Sequence, residues 1–359
     1  MPKKILFAFL LLLISFPTLI SASAGSLDGR VIILDAGHGI GARGGGVVYS
    51  AGYVEHERMF LLAGLIQNEL KSRGATVLMT RNCRMDVPLP VRPALMNRWS
   101  MEALLADRIS RLKLGYNSIQ ERFMLTIEIN RLIASLELLD RIIYNHEEYA
   151  PIYLNYPFDY NFSTQIHPSW RRILEFQSDP LIRYNWLAIS LHSNASSNIW
   201  AHGADVFFSA NHNPRNVYYF DNYSHEDITA MFGGMLLSGL SRVGIRANGV
   251  RVHHFMLIRE TNIPAVLAEN GYHTNYYDRK LLQDDNFMRR LAVVYANTIE
   301  AYFNRINQDR LQNYENRTIS METIARLVHY NTVRMQARLF LRSRINPDIS
   351  HFCYWPQYE

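Results

Sequence analysis

The sequence predicts an α/β fold: a mostly parallel, twisted sheet flanked by helices and interrupted by a long helical insertion. Three observations carry this expectation. An apolar run at 31–34, a helical apolar stripe at 57–71 and a second apolar run at 76–79 make a βαβ unit. Further strand-length runs at 187–191, 205–208 and 265–267 are joined by helical segments at 228–240 and 284–303. Between the two groups, 99–185 has a different character, first helical and then rich in Tyr, Asn, Phe and Pro. With 359 residues, 48% hydrophobic and 19% charged, the chain has the apolar content of a large core and not that of a disordered polymer.

The chain starts with Lys3 and Lys4, an apolar run from Ile5 to Ile14, Pro17, and small residues ending in Ala22-Ser23-Ala24. That order is the one of a secretory signal, with cleavage expected near Ala24; an uncleaved anchor is the alternative, for which the run is short. No later run is long enough to span a bilayer, so a periplasmic or secreted protein without a transmembrane anchor is expected. The formal charge of +5 includes Lys3 and Lys4, and the remaining excess is too small to imply nucleic acid. Two cysteines, Cys83 and Cys353, are too few for a thiolate zinc site, so any metal must be held by His and carboxylate. In an oxidising compartment the two are able to pair, which their separation in sequence does not decide.

In the first βαβ unit the helix is closed by Arg73-Gly74. In the insertion, 101–114 reads as a helix stopped by Gly115, and Ser118 with Glu121 makes a capping box that starts another. Leu125, Ile129, Leu132, Leu136, Leu139 and Ile143 then recur at spacings of four and three, the pattern of one packed seam, with the helix expected to reach 149. Residues 150–185 read as irregular. The tail, 304–359, holds one more helix at 320–343 with Arg334, Arg338 and Arg342 on one face. That row is either a solvated basic face or a contact for an anionic envelope surface.

Chemistry concentrates at strand ends. His38 lies in Asp35-Ala36-Gly37-His38-Gly39, where the glycines allow a sharp turn at the carboxyl edge of the sheet, the edge that carries ligand sites in open α/β sheets. His192 follows the strand at 187–191, Glu269 follows the one at 265–267, and Glu55 stands just before the first long helix. Two imidazoles and one carboxylate make a three-ligand zinc site of the catalytic kind, and a second carboxylate is then free to act as general base.

The stretch from Val31 to Gly39, the segment from Leu187 to Ala195 and the run from Leu257 to Asn275 together resemble the zinc-dependent N-acetylmuramoyl-L-alanine amidases of the amidase_3 type. Thr80-Arg81, Leu89, Arg92 and Asn97 fall where that pattern expects them, while Ala36 and Ile40 depart from it without removing a ligand. The resemblance implies one zinc ion per chain, held by His38, Glu55 and His192, with Glu57 as the rival for the glutamate, and Glu269 as the catalytic base. It implies peptidoglycan as substrate, cut between the lactyl group of N-acetylmuramic acid and L-alanine during wall turnover or daughter-cell separation. A non-catalytic peptidoglycan-binding scaffold and a stem-peptide peptidase are the alternatives. Arg259 and Asn194 are candidate substrate contacts. His202, His253, His254 and His273 read as surface groups or groups behind the ligands. By the same resemblance 99–185 is either an autoinhibitory element displaced by an activator protein, with Glu147 or Glu148 reaching the zinc, or a fixed cap. The organisation expected is a signal at 1–24, a catalytic domain at 25–303 split by the insertion, and a basic extension at 304–359.

Overall fold

The first strand, β1 (Val31–Ala36), is buried along its whole length, as a central strand covered on both faces must be. It belongs to a computed structural model that describes residues 25–42, 47–48, 51–113, 118–153, 167–210 and 225–315. A short antiparallel hairpin, β2 (Val47–Val48) and β3 (Tyr53–Val54), leads into α1 (Glu55–Ser72) and then β4 (Thr76–Met79). β1 pairs in parallel with β4 on one side and with β5 (Trp186–Asn194) on the other. β6 (Ala204–Phe208), β7 (Ala247–Val252) and β8 (Ala265–Tyr272) complete a six-stranded sheet in the order β4-β1-β5-β8-β6-β7. Its one change of direction is between β8 and β6, so the sheet is mixed and mostly parallel.

Side-chain alternation builds two cores. Val31, Ile33, Ala188, Ala265 and Leu267 face α2 (Val91–Lys113), α3 (Ile119–Tyr144) and the short helices that follow them. Ile32, Leu34, Leu187, Ile189 and Val266 face α1, α7 (Glu226–Arg242) and α10 (Asp285–Glu315). The result is three layers, with α4 (His146–Tyr149), α5 (Pro168–Leu174), α6 (Pro180–Asn185), α8 (Met256–Arg259) and α9 (Tyr276–Gln283) as connecting turns of helix.

Several elements differ from the sequence reading. α2 starts at Val91, ten residues before the expected 101, because Val91, Ala94, Leu95, Met96 and Trp99 are buried; Pro93 lies in its first turn, where a missing N–H costs no helical bond. The helix therefore runs through the expected insertion boundary at 99. The Ser118–Glu121 capping box forms, and Leu125, Leu132, Leu139 and Ile143 are buried along the seam, but Asn145 (φ −145°, ψ 64°) ends the helix. Its 26 residues span about 39 Å. Part of the expected irregular stretch is helical: α5 and α6 each begin with Pro and are capped by the side chains of His167 and Asp179. β7 escaped notice because it is a half-exposed edge strand in which Gly249 and Arg251 break the apolar pattern. α10 continues past 303 to Glu315, with Ile306 still buried. The expected signal at 1–24 and the tail helix with Arg334, Arg338 and Arg342 lie outside the described residues. No described helix is long and apolar enough to cross a membrane. Cys83 is disulfide-bonded, and the only other cysteine in the sequence, Cys353, lies outside the described residues.

At the end of β1, the fully buried Asp35 accepts hydrogen bonds from Arg92 Nη1 (2.9 Å), Ser190 Oγ (2.7 Å) and the Thr80 hydroxyl. Burial alone would raise its carboxyl; Arg92 and the two hydroxyls outweigh this and hold it below the ordinary value. Arg92 also donates to the carbonyls of Ala36 (3.0 Å), His38 (2.8 Å) and Val87 (2.8 Å) and to Asp86 (2.8 Å). Arg81 donates to the Ala36 carbonyl (3.0 Å) and the His56 carbonyl (2.7 Å). Two buried guanidinium groups thus fasten the turn that follows β1.

Asp35→Asn leaves the buried Arg92 with only the partly exposed Asp86 as counter-ion and is expected to cost about 3–5 kcal/mol, read from urea unfolding. Trp170 is fully buried, and its Nε1 donates to Glu260 at 2.7 Å. Trp170→Ala is expected to cost about 3–5 kcal/mol in the same assay.

Candidate metal centre

The turn after β1 is shaped by close approach. A Cβ on Gly37 would lie 2.4 Å from Cε1 of His192, and one on Gly39 would lie 2.3 Å from the Asp86 backbone. Between them His38 has φ 54°, a left-handed conformation unusual for a residue with a side chain. The bonds from Arg92 and Arg81 to the neighbouring carbonyls hold it there, aiming the imidazole over the sheet edge.

Glu55 is the first residue of α1 and only 2% exposed. Its Oε2 lies 3.4 Å from Nε2 of His38, and its Oε1 lies 3.1 Å from Nδ1 of His192. One ligand atom from each of the three lies within 4.8 Å of the other two. Two imidazoles and one carboxylate are a donor set for tetrahedral zinc, whose ligand atoms stand roughly 3.3–3.5 Å apart, and atoms within 4.8 Å of one another are near enough to close on such an ion. Burial would raise the Glu55 carboxyl, but hydrogen bonds and charge from His192 and His38 hold it well below the usual range. Ser193 N also donates to Glu55 (3.0 Å), and the Ser193 hydroxyl is braced by Tyr53 (2.8 Å) and His273 (2.9 Å). Glu57, the rival, instead pairs with Arg84 at 3.2 Å and is outside the group.

Glu269 sits on β8 directly opposite His192 on β5, and both side chains point to the α2 face. It is paired on its other side with Asp205 of β6. Burial and the nearby Glu55 and Asp205 carboxylates push its proton affinity well above the ordinary value, and its Oε2 has no hydrogen-bond partner among the described residues. A carboxylate whose burial and acidic neighbours favour the protonated form, and whose Oε2 is left without a hydrogen-bond partner, is suited to take up a proton.

These groups open into a cleft of about 610 Å³. Val87, Leu89 and Pro90 line one wall, His253, His254, Phe255 and Met256 the other, and Leu267 with Glu269 the floor. His253 and His254 belong to the cleft, which the sequence did not reveal: they follow an unrecognised edge strand and carry no motif. Asp205 was missed likewise, as one acidic residue in a plain apolar run. Of the other candidates, Asn194 ends β5 and its carbonyl accepts from His273 N (2.9 Å). Arg259 is buried in α8 and is not among the residues lining the cleft. Glu147 and Glu148 are exposed on α4 and do not line it either; Glu148 accepts from Asn145 (2.6 Å).

The family model Amidase_3, N-acetylmuramoyl-L-alanine amidase, matches residues 32–106 and 184–301, more than half of the chain. The sporulation-specific N-acetylmuramoyl-L-alanine amidase of Bacillus subtilis (strain 168) is 29% identical over 123 residues, 33% of this chain and 47% of that protein. The N-acetylmuramoyl-L-alanine amidase CwlM of Bacillus licheniformis is 29% identical over 122 residues, with the same coverage. The chain thus spans about half the length of the curated relatives it matches. Among solved structures, the catalytic domain of CwlV from Bacillus (Paenibacillus) polymyxa var. colistinus aligns with 77% of this chain and 98% of its own, at 18% identity and a TM-score of 0.42. The CwlD amidase of Clostridioides difficile, in complex with the GerS lipoprotein, aligns with 77% and 98% at 16% identity and a TM-score of 0.43. His38, Glu55, His192 and Glu269 all fall inside the matched stretches, and the chain belongs to the Amidase_3 family of N-acetylmuramoyl-L-alanine amidases.

Proposed function

We propose that the chain hydrolyses the amide between the lactyl group of N-acetylmuramic acid and L-alanine in peptidoglycan, with one zinc ion held by His38, Glu55 and His192. The observation that carries this reading is the register of Glu269 against His192, which puts a partner-free carboxylate beside the metal-ligand group. When bound, zinc polarises the amide carbonyl and lowers the pKa of water. Glu269 takes the proton of the attacking water as the new C–O bond forms, and passes it to the alanine nitrogen as the C–N bond breaks. The products are a free lactyl carboxylate and a stem peptide with a free amino terminus. Arg92 and Arg81 keep His38 in place, and the apolar walls limit water to the reacting face.

The block between α2 and β5 is read as a fixed wall. Trp170, Leu139 and Ile142 are buried in the core beneath the sheet, and the Tyr153 hydroxyl donates to the Pro90 carbonyl (2.7 Å) at the cleft wall. An activator has another surface to use: Ile119, Phe123, Met124 and Ile127 are exposed on the first turns of α3. The disulfide at Cys83 agrees with export to an oxidising compartment. An intact donor set argues against a non-catalytic scaffold.

Digestion of purified peptidoglycan is expected to release stem peptides with an L-alanine amino terminus, to stop on chelation, and to slow roughly 10²–10⁴-fold in Glu269→Ala. Full activity in that variant overturns the mechanism, and fragments cut within the stem peptide overturn the amide assignment. Glu55→Ala is expected to lose zinc, measured by atomic absorption on dialysed protein, whereas Glu57→Ala keeps one ion per chain.

A further inference from the structure

We propose that an aromatic platform at the same sheet edge binds the glycan strand of the substrate, an inference that rests on the peptidoglycan reading above. The loop between β5 and β6 exposes Ile199 (61%) and Trp200 (75%), and the start of α9 exposes Tyr276 (57%) and Tyr277 (72%). The other described tryptophans, Trp99, Trp170 and Trp186, are buried, so Trp200 is placed against the trend of this chain.

The exposure is built into a braced loop. Ser196 N donates to the Thr274 hydroxyl (3.0 Å), Asn198 N to Ser196 Oγ (3.1 Å), and Trp200 N to Asn198 Oδ1 (3.0 Å). Asn275 Nδ2 donates to the Ile199 carbonyl (2.8 Å), tying the loop to α9 beside Tyr276 and Tyr277, whose rings meet edge to face at 5.4 Å. Apolar area held rigidly in water serves no packing purpose; it lowers the ordering cost of a ligand.

Place and chemistry identify that ligand. Trp200 is eight residues beyond His192, and Tyr276 seven beyond Glu269, so the chain keeps both within about 30 Å of the metal centre. Both segments leave the same edge of the sheet as His192 and Glu269, so a polymer cut at that centre can extend along them. The braces are amides, hydroxyls and the His202 ring, whose Nδ1 lies 2.9 Å from the Trp200 carbonyl. Two cations stand nearby: Lys280, 5.8 Å from the Tyr276 ring centre, and Arg279, whose guanidinium is taken up by the carbonyls of His273 (2.8 Å) and Asn275 (3.5 Å). An anionic membrane would call for a cluster of basic residues. A stable protein interface needs about 800 Å² per partner, more than four side chains supply. An uncharged pyranose fits: its C–H face packs on the electron-rich face of an aromatic ring, and its hydroxyl and acetamido edges bond to amides.

The test uses peptide-free glycan strands, which hold no bond for an amidase to cut, with the full chain. Wild type is expected to show saturable quenching of tryptophan fluorescence. Trp200→Ala should weaken binding about tenfold or more, measured by co-sedimentation or calorimetry, with Trp200→Phe intermediate and Tyr277→Ala weaker than wild type. Turnover of a single muramyl-peptide unit should stay within about twofold in each variant. Unaltered glycan binding in Trp200→Ala overturns the platform, as does a loss confined to anionic vesicles. If wild type binds glycan strands but releases no stem peptide from peptidoglycan, the amidase reading fails and the platform stands.

Discussion

The rest of the molecule depends on one buried ion pair. Asp35 and Arg92 meet beneath the sheet edge, each satisfied by further bonds, and Arg92 reaches past the carboxylate to the carbonyls of Ala36 and His38. The isolated pair would be a poor stabiliser, since two charges taken out of water lose much of their solvation. Its value lies in geometry: it ties α2 to β1 and holds His38 in a conformation that the residue would not adopt alone. The fold thus offsets local backbone strain with a network placed under the residue that needs it.

Two acidic residues with opposed proton affinities then divide the chemistry. Glu55 faces two imidazoles and a backbone N–H and is held as an anion; Glu269, close by, faces two carboxylates and burial and is raised. Residues of the same chemical type take different roles through their neighbours alone.

Much of this was legible in the sequence because it is written locally. β1, β4, β5 and β8 are apolar runs flanked by turn residues, and His38 follows the end of β1; His192 and Glu269, expected just after their strands, lie inside β5 and β8, which continue beyond the apolar runs through polar residues. Choosing Glu55 over Glu57 needed the start of α1, which a sequence locates only to a residue or two. What was not legible depends on tertiary context. β7 is a strand because β6 is beside it, not because of its own pattern. α5 and α6 were hidden by aromatic residues that read as loop but whose Trp170 fills the core. His253 and His254 join the cleft from a distant part of the chain, and no spacing rule links them to His38.

The pairing of β5 with β8 sets a ruler. His192 and Glu269 are neighbours across a parallel ladder, so their separation derives from the inter-strand spacing of about 4.8 Å and not from how the helices pack behind the sheet. Side chains in either core can be exchanged for others of similar volume without changing that distance. Losing one residue from β8 ahead of Glu269 has no such tolerance: it would turn the carboxylate through the sheet to the α1 side. The spacing of the centre is therefore a property of the backbone, and a change of length within these two strands disturbs it more than a change of side chain around them.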